Sequence, residues 1–200
     1  MASASRIRST SLSSLRILWP ALTLLALLAF TVYFLYSQGR FWFCACGSVK
    51  LWAGDIWDMN ENSQHIFDPY SFSHIEHGFL FYWLVSWALP RVRLAWRLVS
   101  AITLEAGWEM FENSRSMIQR YNETTISKGY AGDTIINSLS DLALCGFGFW
   151  VAHWLGFRRT FALLVAIEVV MILWIRDSML INIIMLLFPL EALRNWQMGL

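Results

Sequence analysis

The chain has 200 residues, of which 57% are hydrophobic and only 14% are charged, whereas a typical soluble domain carries about 25% charged residues. This composition excludes an ordinary soluble domain and predicts a single membrane domain, with membrane lipids as its partners. The formal net charge of +1 excludes the basic field that a nucleic-acid partner would need.

The N-terminal region divides into a polar tail and an apolar segment. Residues 1–16 are rich in serine and carry three arginines, which predicts a disordered basic tail ahead of one helical membrane domain at residues 17–200. Residues 17–36 carry no charge, and about 20 such residues in a helix span roughly 30 Å of hydrocarbon. A signal peptide is the alternative, but its apolar core would run for only about 7–15 residues and end in an A-x-A-like site. We therefore predict a membrane anchor.

Five further apolar segments follow, at residues 74–89, 98–113, 133–155, 160–175 and 179–190. The last has only 12 residues, fewer than the roughly 17–25 of a membrane crossing, so it either spans or forms a re-entrant or interfacial helix. The predicted fold is therefore all-α, an integral membrane bundle of five or six helices. Gly146 and Gly148 are expected where helices pack closely, and residues 114–132 are expected to form a polar loop.

Basic residues indicate the orientation, because cytoplasmic loops carry an excess of Lys and Arg. With the N-terminus in the cytoplasm, nine of the 15 basic residues fall on the cytoplasmic side, and both short turns there are rich in arginine. The same alternation brings the dense polar clusters to the opposite side. We therefore predict a multi-pass protein of the cell inner membrane with a polar cavity at its periplasmic face.

Three of the predicted helices carry polar residues at spacings that share one helix face. They are His74 and His77; Glu105, Glu109 and Glu112; and Asp133, Asn137 and Asp141. A carboxylate in mid-membrane costs about 2.5–3.5 kcal/mol on insertion scales, and those that are tolerated usually mark function. The alternative is a structural ion network in which these carboxylates pair with Arg115, Arg120 and Arg176.

These stripes and the segment before the second span supply the candidate site. The residues predicted to be catalytic are His65, His74, His77, Glu109, Glu112, Asp133 and Asp141. The residues predicted to bind substrate are Asn62, Gln64, Asn113, Arg120, Tyr121, Asn137, Arg176 and Asp177. Arg120 and Arg176 would hold an anionic headgroup, since guanidinium binds phosphate through two parallel hydrogen bonds.

The sequence leaves open whether the site binds a divalent metal ion as a cofactor. Imidazoles and carboxylates from several helices are suitable zinc ligands, and the candidates are His74, His77, Glu109 and Asp133. The chain contains no H-x-x-x-H or H-E-x-x-H motif, which would have been the stronger signal.

Two features precede the second span. His65 is a candidate general base held by Asp68 or Glu76. Cys44 and Cys46 are either two small, partly buried residues or a redox or metal-binding pair, and their close spacing would strain a disulfide between them.

Several strings of residues stand out as a set. They are Asn62–His65, Tyr70–His74 with His77 and Gly78, Trp108 and Glu109, Glu112–Ser114, Arg120 and Tyr121, Gly132 and Asp133, Asn137 and Ser138 with Asp141, and Arg176 and Asp177 with Asn182. The set resembles an uncharacterised, UPF-type family of multi-pass inner-membrane proteins from alphaproteobacteria, over residues 44–197. This resemblance implies a location but no reaction, and the chain departs from the pattern at Ser178, where Asn is expected. A looser likeness is to the VanZ-like membrane proteins, which are linked to cell-envelope responses.

Three functions fit these observations. The first is a cell-envelope enzyme that hydrolyses a lipid or lipid-linked headgroup, or transfers a group to or from it. The second is a non-catalytic binding or assembly protein whose polar network is structural. The third is a transporter, for which Glu168 is nearly the only polar residue that would continue a path through the cytoplasmic half.

Overall fold

The computed structural model describes the backbone from Ala2 to Leu200 and the side chains from Leu18 onwards. Its helices are α1 (Ala2–Ser37), α2 (Ser71–Ala88), α3 (Leu94–Glu112), α4 (Arg115–Thr124), α5 (Ile135–Leu155), α6 (Phe157–Ile175), α7 (Met179–Leu187) and α8 (Glu191–Met198). The all-α prediction is confirmed, since the described residues add only an isolated bridge between Trp52 and Phe67. The tail predicted to be disordered, at residues 1–16, lies outside the residues whose side chains are described.

Two of the described helices are long and apolar enough to cross a membrane. They are Leu18–Ser37 within α1, with a mean hydropathy of 2.0, and α5, with a mean hydropathy of 1.4. Helices α6 and α7 qualify only as a pair that is bent by 75°, so they form either a broken third span or a re-entrant loop. Helices α2 and α3 cover two other predicted spans but do not qualify, because ionisable residues interrupt their apolar sequence. Two or three candidate spans indicate a membrane protein.

Helices α2 and α5 pack against each other through glycine. A Cβ atom on Gly78 of α2 would lie 2.7 Å from the backbone nitrogen of Phe149, and one on Gly148 of α5 would lie 3.2 Å from the Cα atom of Gly78. The prediction of close packing therefore holds at Gly148. It does not extend to Gly146, where an added Cβ would meet only the end of Ile102 at 3.5 Å.

Successive long helices reverse direction, and this brings the polar stripes to one end of the bundle. At that end Gln38, just after α1, donates a hydrogen bond to the carbonyl oxygen of Met110 near the end of α3. Tyr70, just before α2, donates through its hydroxyl to Asp177, just after α6. The ends of α1, α3 and α6 therefore meet the starts of α2 and α7.

Residues 115–124 form helix α4, so the predicted loop was wrong for this stretch. Ser114 begins the helix by accepting a hydrogen bond from the Met117 backbone nitrogen, as an N-cap residue does. Met117 and Tyr121 then pack with Tyr130 in a buried cluster. Tertiary packing of this kind stabilises a helix that is too short to be stable alone.

Helix α7 begins directly after Ser178, the position at which the family resemblance predicts Asn. The Ser178 hydroxyl accepts a hydrogen bond from the Ile181 backbone nitrogen at 3.2 Å. Ser and Asn are comparably good N-cap residues, so Ser178 fulfils the structural role that Asn would have.

Candidate functional site

A cavity of about 140 Å³ lies at the end of the bundle where α2 and α5 begin and α3 ends. Its polar wall consists of Asn62, Ser63, Asp68, Tyr70, Ser73, His74, His77, Glu112, Tyr121, Ser127, Tyr130, Asp133, Asn137, Asp141 and Asn182. Its apolar wall consists of Trp108, Met179, Ile183 and Leu186. Within the described part of the chain, no lysine or arginine lines this cavity, so its charged groups are carboxylates and histidines.

The structure brings part of the predicted site together at this wall. The predicted residues that line the cavity are Asn62, His74, His77, Glu112, Tyr121, Asp133, Asn137 and Asp141. Those that do not are His65, Gln64, Glu109, Asn113, Arg120, Arg176 and Asp177. Some of the latter hold the lining residues in place, and others belong to separate parts of the molecule.

Glu105 holds both histidines of α2. Its carboxylate lies 2.5 Å from Nδ1 of His74 and 3.0 Å from Nδ1 of His77, and it is fully buried. The two histidines reach one carboxylate because a spacing of three residues places them on one helix face. Glu105 was part of the predicted polar stripe but was not among the residues predicted to be catalytic. Its position on the same helix face as Glu109 could have indicated that it belongs to the site.

Two more carboxylates face the imidazole of His74. Oε1 of Glu109 lies 3.5 Å from Nδ1, and Oδ2 of Asp141 lies 3.7 Å from Nε2. Among the described residues, neither oxygen of Glu109 has a hydrogen-bond partner, and Oδ1 of Asp141 has none either. His74 is thus the shared neighbour of carboxylates from two helices, α3 and α5.

Asn113 and Tyr130 hold Asp133 at the cavity wall. The Asn113 side chain donates to Oδ2 of Asp133 at 2.8 Å and accepts from its backbone nitrogen at 2.8 Å, while the Tyr130 hydroxyl donates to Oδ1 at 2.7 Å. Burial and the adjacent Asp133 raise the pKa of Tyr130, so its phenol stays a donor. The preceding Gly132 has a φ of 92°, which favours glycine. Tyr130 was not among the residues predicted to form the site.

Asp68 ties the segment before α2 to the helix. Its carboxylate accepts hydrogen bonds from the backbone nitrogens of Ser63, Tyr70 and Ser71 at 3.0, 2.7 and 3.2 Å. Burial raises the pKa of Asp68, which opposes the effect of these donors. Asp68 therefore fixes the backbone at the cavity wall and does not hold His65.

His65 lies apart from the cavity histidines. Its Nδ1 accepts a hydrogen bond from the Lys50 backbone nitrogen at 3.2 Å, and its Nε2 is 4.0 Å from the sulfur of Cys46. Cys46 is joined to Cys44 by a disulfide. The expectation that Asp68 or Glu76 holds His65 was therefore wrong, since the described contacts of the ring are with Lys50 and Cys46. A catalytic role for His65 stays a prediction.

The arginines predicted to hold a headgroup point elsewhere. The guanidinium of Arg120 donates to the carbonyl oxygen of Leu186 at 2.7 and 3.0 Å, and that of Arg176 donates to the carbonyl oxygen of Trp196 at 3.3 Å. Each guanidinium therefore satisfies a carbonyl group near the end of a helix, α7 for Arg120 and α8 for Arg176. The alternative of an arginine–carboxylate network also loses support, because Glu105, Glu109 and Asp141 make their ion pairs with histidines.

Two other predicted residues, Gln64 and Asp177, have structural partners. Gln64 donates to the carbonyl oxygen of Gly132 at 2.9 Å, which ties the loop before α2 to the start of α5. Asp177 accepts hydrogen bonds from the Tyr70 hydroxyl at 2.9 Å and from Asn182 at 3.1 Å. Both of these donors line the cavity, so Asp177 holds two lining side chains in position although it does not line the cavity itself.

Two groups of side chains around His74 are spaced closely enough to share a metal ion. One is His74, His77 and Glu105, and the other is His74, Glu109 and Glu112; within each group the ligand atoms lie within 4.8 Å of one another. Asp133, a predicted ligand, belongs to neither group. A third group, formed by Cys44, Cys46 and His65, has its two sulfurs bonded to each other.

Comparison with known proteins identifies the family. Residues 35–199 match the family described as "Protein of unknown function (DUF2585)". The chain is 46% identical over 180 residues to the UPF0314 protein of Brucella anthropi, with 90% of this chain and 91% of that protein covered. It is 44% identical over 174 residues to the UPF0314 protein of Sphingopyxis alaskensis, with 87% and 92% covered.

The chain therefore belongs to this family, an uncharacterised family found across alphaproteobacteria, as the resemblance of its polar strings predicted. No solved structure matches it.

Proposed function

We propose that this protein is a cell-envelope enzyme that hydrolyses a lipid or lipid-linked headgroup, or transfers a group to or from it, at the cavity around His74. The observation that carries the proposal is the convergence of α2, α3 and α5 on one cavity that contains two histidines and several buried carboxylates. Ionisable side chains are costly inside a membrane bundle, so their concentration in one cavity favours a functional site.

The proposed setting is the inner membrane, crossed several times, with the N-terminus in the cytoplasm. The alternating directions of α1, α2, α3, α5 and α6 support five crossings, although α2 and α3 are less apolar than a typical span. Arg158 and Arg159 lie at the end of the bundle opposite the cavity, which supports a cavity on the periplasmic side.

The cavity suits an amphipathic substrate because it joins a polar and an apolar wall. Ile183, on the apolar wall, is 42% exposed on the outside of the bundle, where lipid would surround it. An acyl chain could remain against this face while the headgroup enters among the carboxylates. The amides of Asn62 and Asn137, each with a buried unpartnered atom, are available to bind it.

His74 is the proposed general base. Its imidazole, oriented by Glu105, would remove a proton from water or an acceptor hydroxyl as the oxygen attacks the headgroup linkage. The bond to the leaving oxygen would break, and a protonated carboxyl group of the wall, Asp141 or Glu112, would donate its proton to that oxygen. The histidine would return its proton to the carboxylate as the site resets.

A deletion strain would test the proposal through its lipids. Strains that carry the wild-type chain, His74→Gln or His153→Gln would be compared by profiling envelope lipids. His153 is the matched control, because its imidazole contacts Tyr82 in the C-terminal half of α2, away from the cavity.

We expect the deletion strain to accumulate a lipid. Complementation with the wild-type chain or with His153→Gln should remove that lipid, whereas His74→Gln, present at an equal protein level, should not. Full complementation by His74→Gln would reject the enzyme. It would favour the assembly protein, which depends on the fold alone.

A further inference from the structure

Glu109 is a buried carboxylate that lacks the partners such a group needs. It is 0% exposed, and neither of its oxygens accepts a hydrogen bond from the part of the chain that the structure describes. Burying a carboxylate without compensation is strongly unfavourable, so such groups in proteins are paired, protonated or bound to a metal. It forms an ion pair with His74, at 3.5 Å.

The two histidines do not balance the carboxylates around them, because His77 pairs with Glu105, the same carboxylate that contacts His74. The ring of His74 is bonded to Glu105 at 2.5 Å and also faces Glu109 and Asp141. No lysine or arginine among the described residues lines the cavity. A positive charge beyond those of the two imidazoles would therefore stabilise this arrangement.

The ligand types match a divalent transition metal. Zinc, manganese and iron bind imidazole nitrogen and carboxylate oxygen. With metal–ligand bonds of about 2.0–2.2 Å, two ligands of one ion lie at most about 4.4 Å apart. His74, Glu109 and Glu112 have ligand atoms within 4.8 Å of one another, so small side-chain movements would close the set.

We propose that His74, Glu109 and Glu112 bind one divalent transition-metal ion at the base of the cavity. Glu105 would act behind them, because a carboxylate bonded to a metal-bound histidine fixes its ring orientation. His74 and Glu112 line the cavity, so the ion is reachable by a substrate. The site deepens the proposed function, on which it rests for its role: with the ion bound, His74 and Glu112 would be its ligands, and the ion would replace the imidazole as the group that activates water, by lowering the pKa of a bound water, while polarising the headgroup.

Metal binding can be measured on the full-length protein without any substrate. The detergent-purified protein would be stripped with a chelator and dialysed separately against Zn²⁺, Mn²⁺ and Fe²⁺. Bound metal would be determined by elemental analysis, and affinity by calorimetric titration. Glu109→Gln is the test variant, because it keeps the shape of the side chain and removes its charge. Glu76→Gln is the matched control, since Glu76 is also buried in the bundle but faces Glu168.

We expect about one ion per wild-type chain for at least one metal, unchanged binding in Glu76→Gln, and an affinity at least about ten-fold weaker in Glu109→Gln. Circular dichroism would establish that each variant is folded, and Glu112→Gln would replace Glu109→Gln if the latter fails to fold. Wild-type protein that binds none of the three metals, or a folded Glu109→Gln with wild-type affinity, would overturn the metal site.

Lipid profiling of the same variants separates this site from the proposed function. Metal binding that is lost in Glu109→Gln without any change in lipids would support the ion site and reject the enzyme. Absence of metal together with a lipid defect in His74→Gln would reject the ion site and leave an acid–base enzyme.

Discussion

Asn113 joins the end of α3 to the carboxylate of Asp133, so Asn113→Ala should weaken both the fold and the site. The side chain is 1% exposed. It donates to the Glu109 carbonyl oxygen at 3.1 Å and to Asp133 Oδ2 at 2.8 Å, and it accepts from the Asp133 backbone nitrogen at 2.8 Å. The substitution removes all three hydrogen bonds and leaves a buried N–H group without its acceptor.

The size of the effect follows from these contacts. A hydrogen bond to a charged group contributes about 1.5–3 kcal/mol, and an orphaned buried donor costs about 1–3 kcal/mol. Both losses fall on Asp133, and neighbouring effects overlap. We therefore expect the free energy of unfolding to fall by about 3 kcal/mol, toward the low end of the summed range of about 2.5–6 kcal/mol, because the two losses overlap.

Equilibrium unfolding in mixed micelles, followed by circular dichroism, would measure the difference. Asn60→Ala is the matched control, because Asn60 is exposed and its amide bonds only to the nearby Asp58. The control should stay within about 0.5 kcal/mol of wild type. A loss in Asn113→Ala no larger than the roughly 0.5 kcal/mol of a simple surface change would refute the role of Asn113 in holding Asp133.

Two further predictions concern helix packing and pH. Gly78→Ala and Gly148→Ala should each prevent the close contact of α2 and α5 and reduce the yield of folded protein, whereas Gly146→Ala, with only Ile102 at 3.5 Å, should behave as wild type; equal yields for all three in fluorescence-detected gel filtration would contradict the packing. Burial lowers the pKa of His65 below its usual 6.5, and its Nδ1 must be unprotonated to accept from Lys50. The unfolded chain then binds more protons, so the free energy of unfolding should decrease as the pH falls below about 6.5. His65→Gln should reduce that dependence, and identical pH profiles would count against it.

The sequence by itself determined the local features of this protein. Apolar length predicts helices at residues 17–36 and 133–155, and the structure has candidate spans at Leu18–Ser37 and α5. The spacing of Glu105 and Glu109 places both on one helix face whatever surrounds the helix, because that face depends only on helical periodicity. The set of polar strings was enough to identify the family.

Only the tertiary structure decided which polar residues share a cavity. Arg120 and Arg176 have the charge for a headgroup, yet each donates to a backbone carbonyl at a helix end. His65 lies within nine residues of His74 but buttresses a different loop. Sequence separation does not report these differences, because a side chain's partners depend on how the helices are arranged in space.

Helix α4 and the pairing of Glu105 show the same limit. The composition of residues 115–124 is that of a polar loop, and the helix is stabilised by burying Met117 and Tyr121 against another segment. Glu105 meets two histidines because α2 and α3 run in opposite directions at a particular register. Periodicity fixes the face of one helix, whereas packing between helices fixes which faces meet.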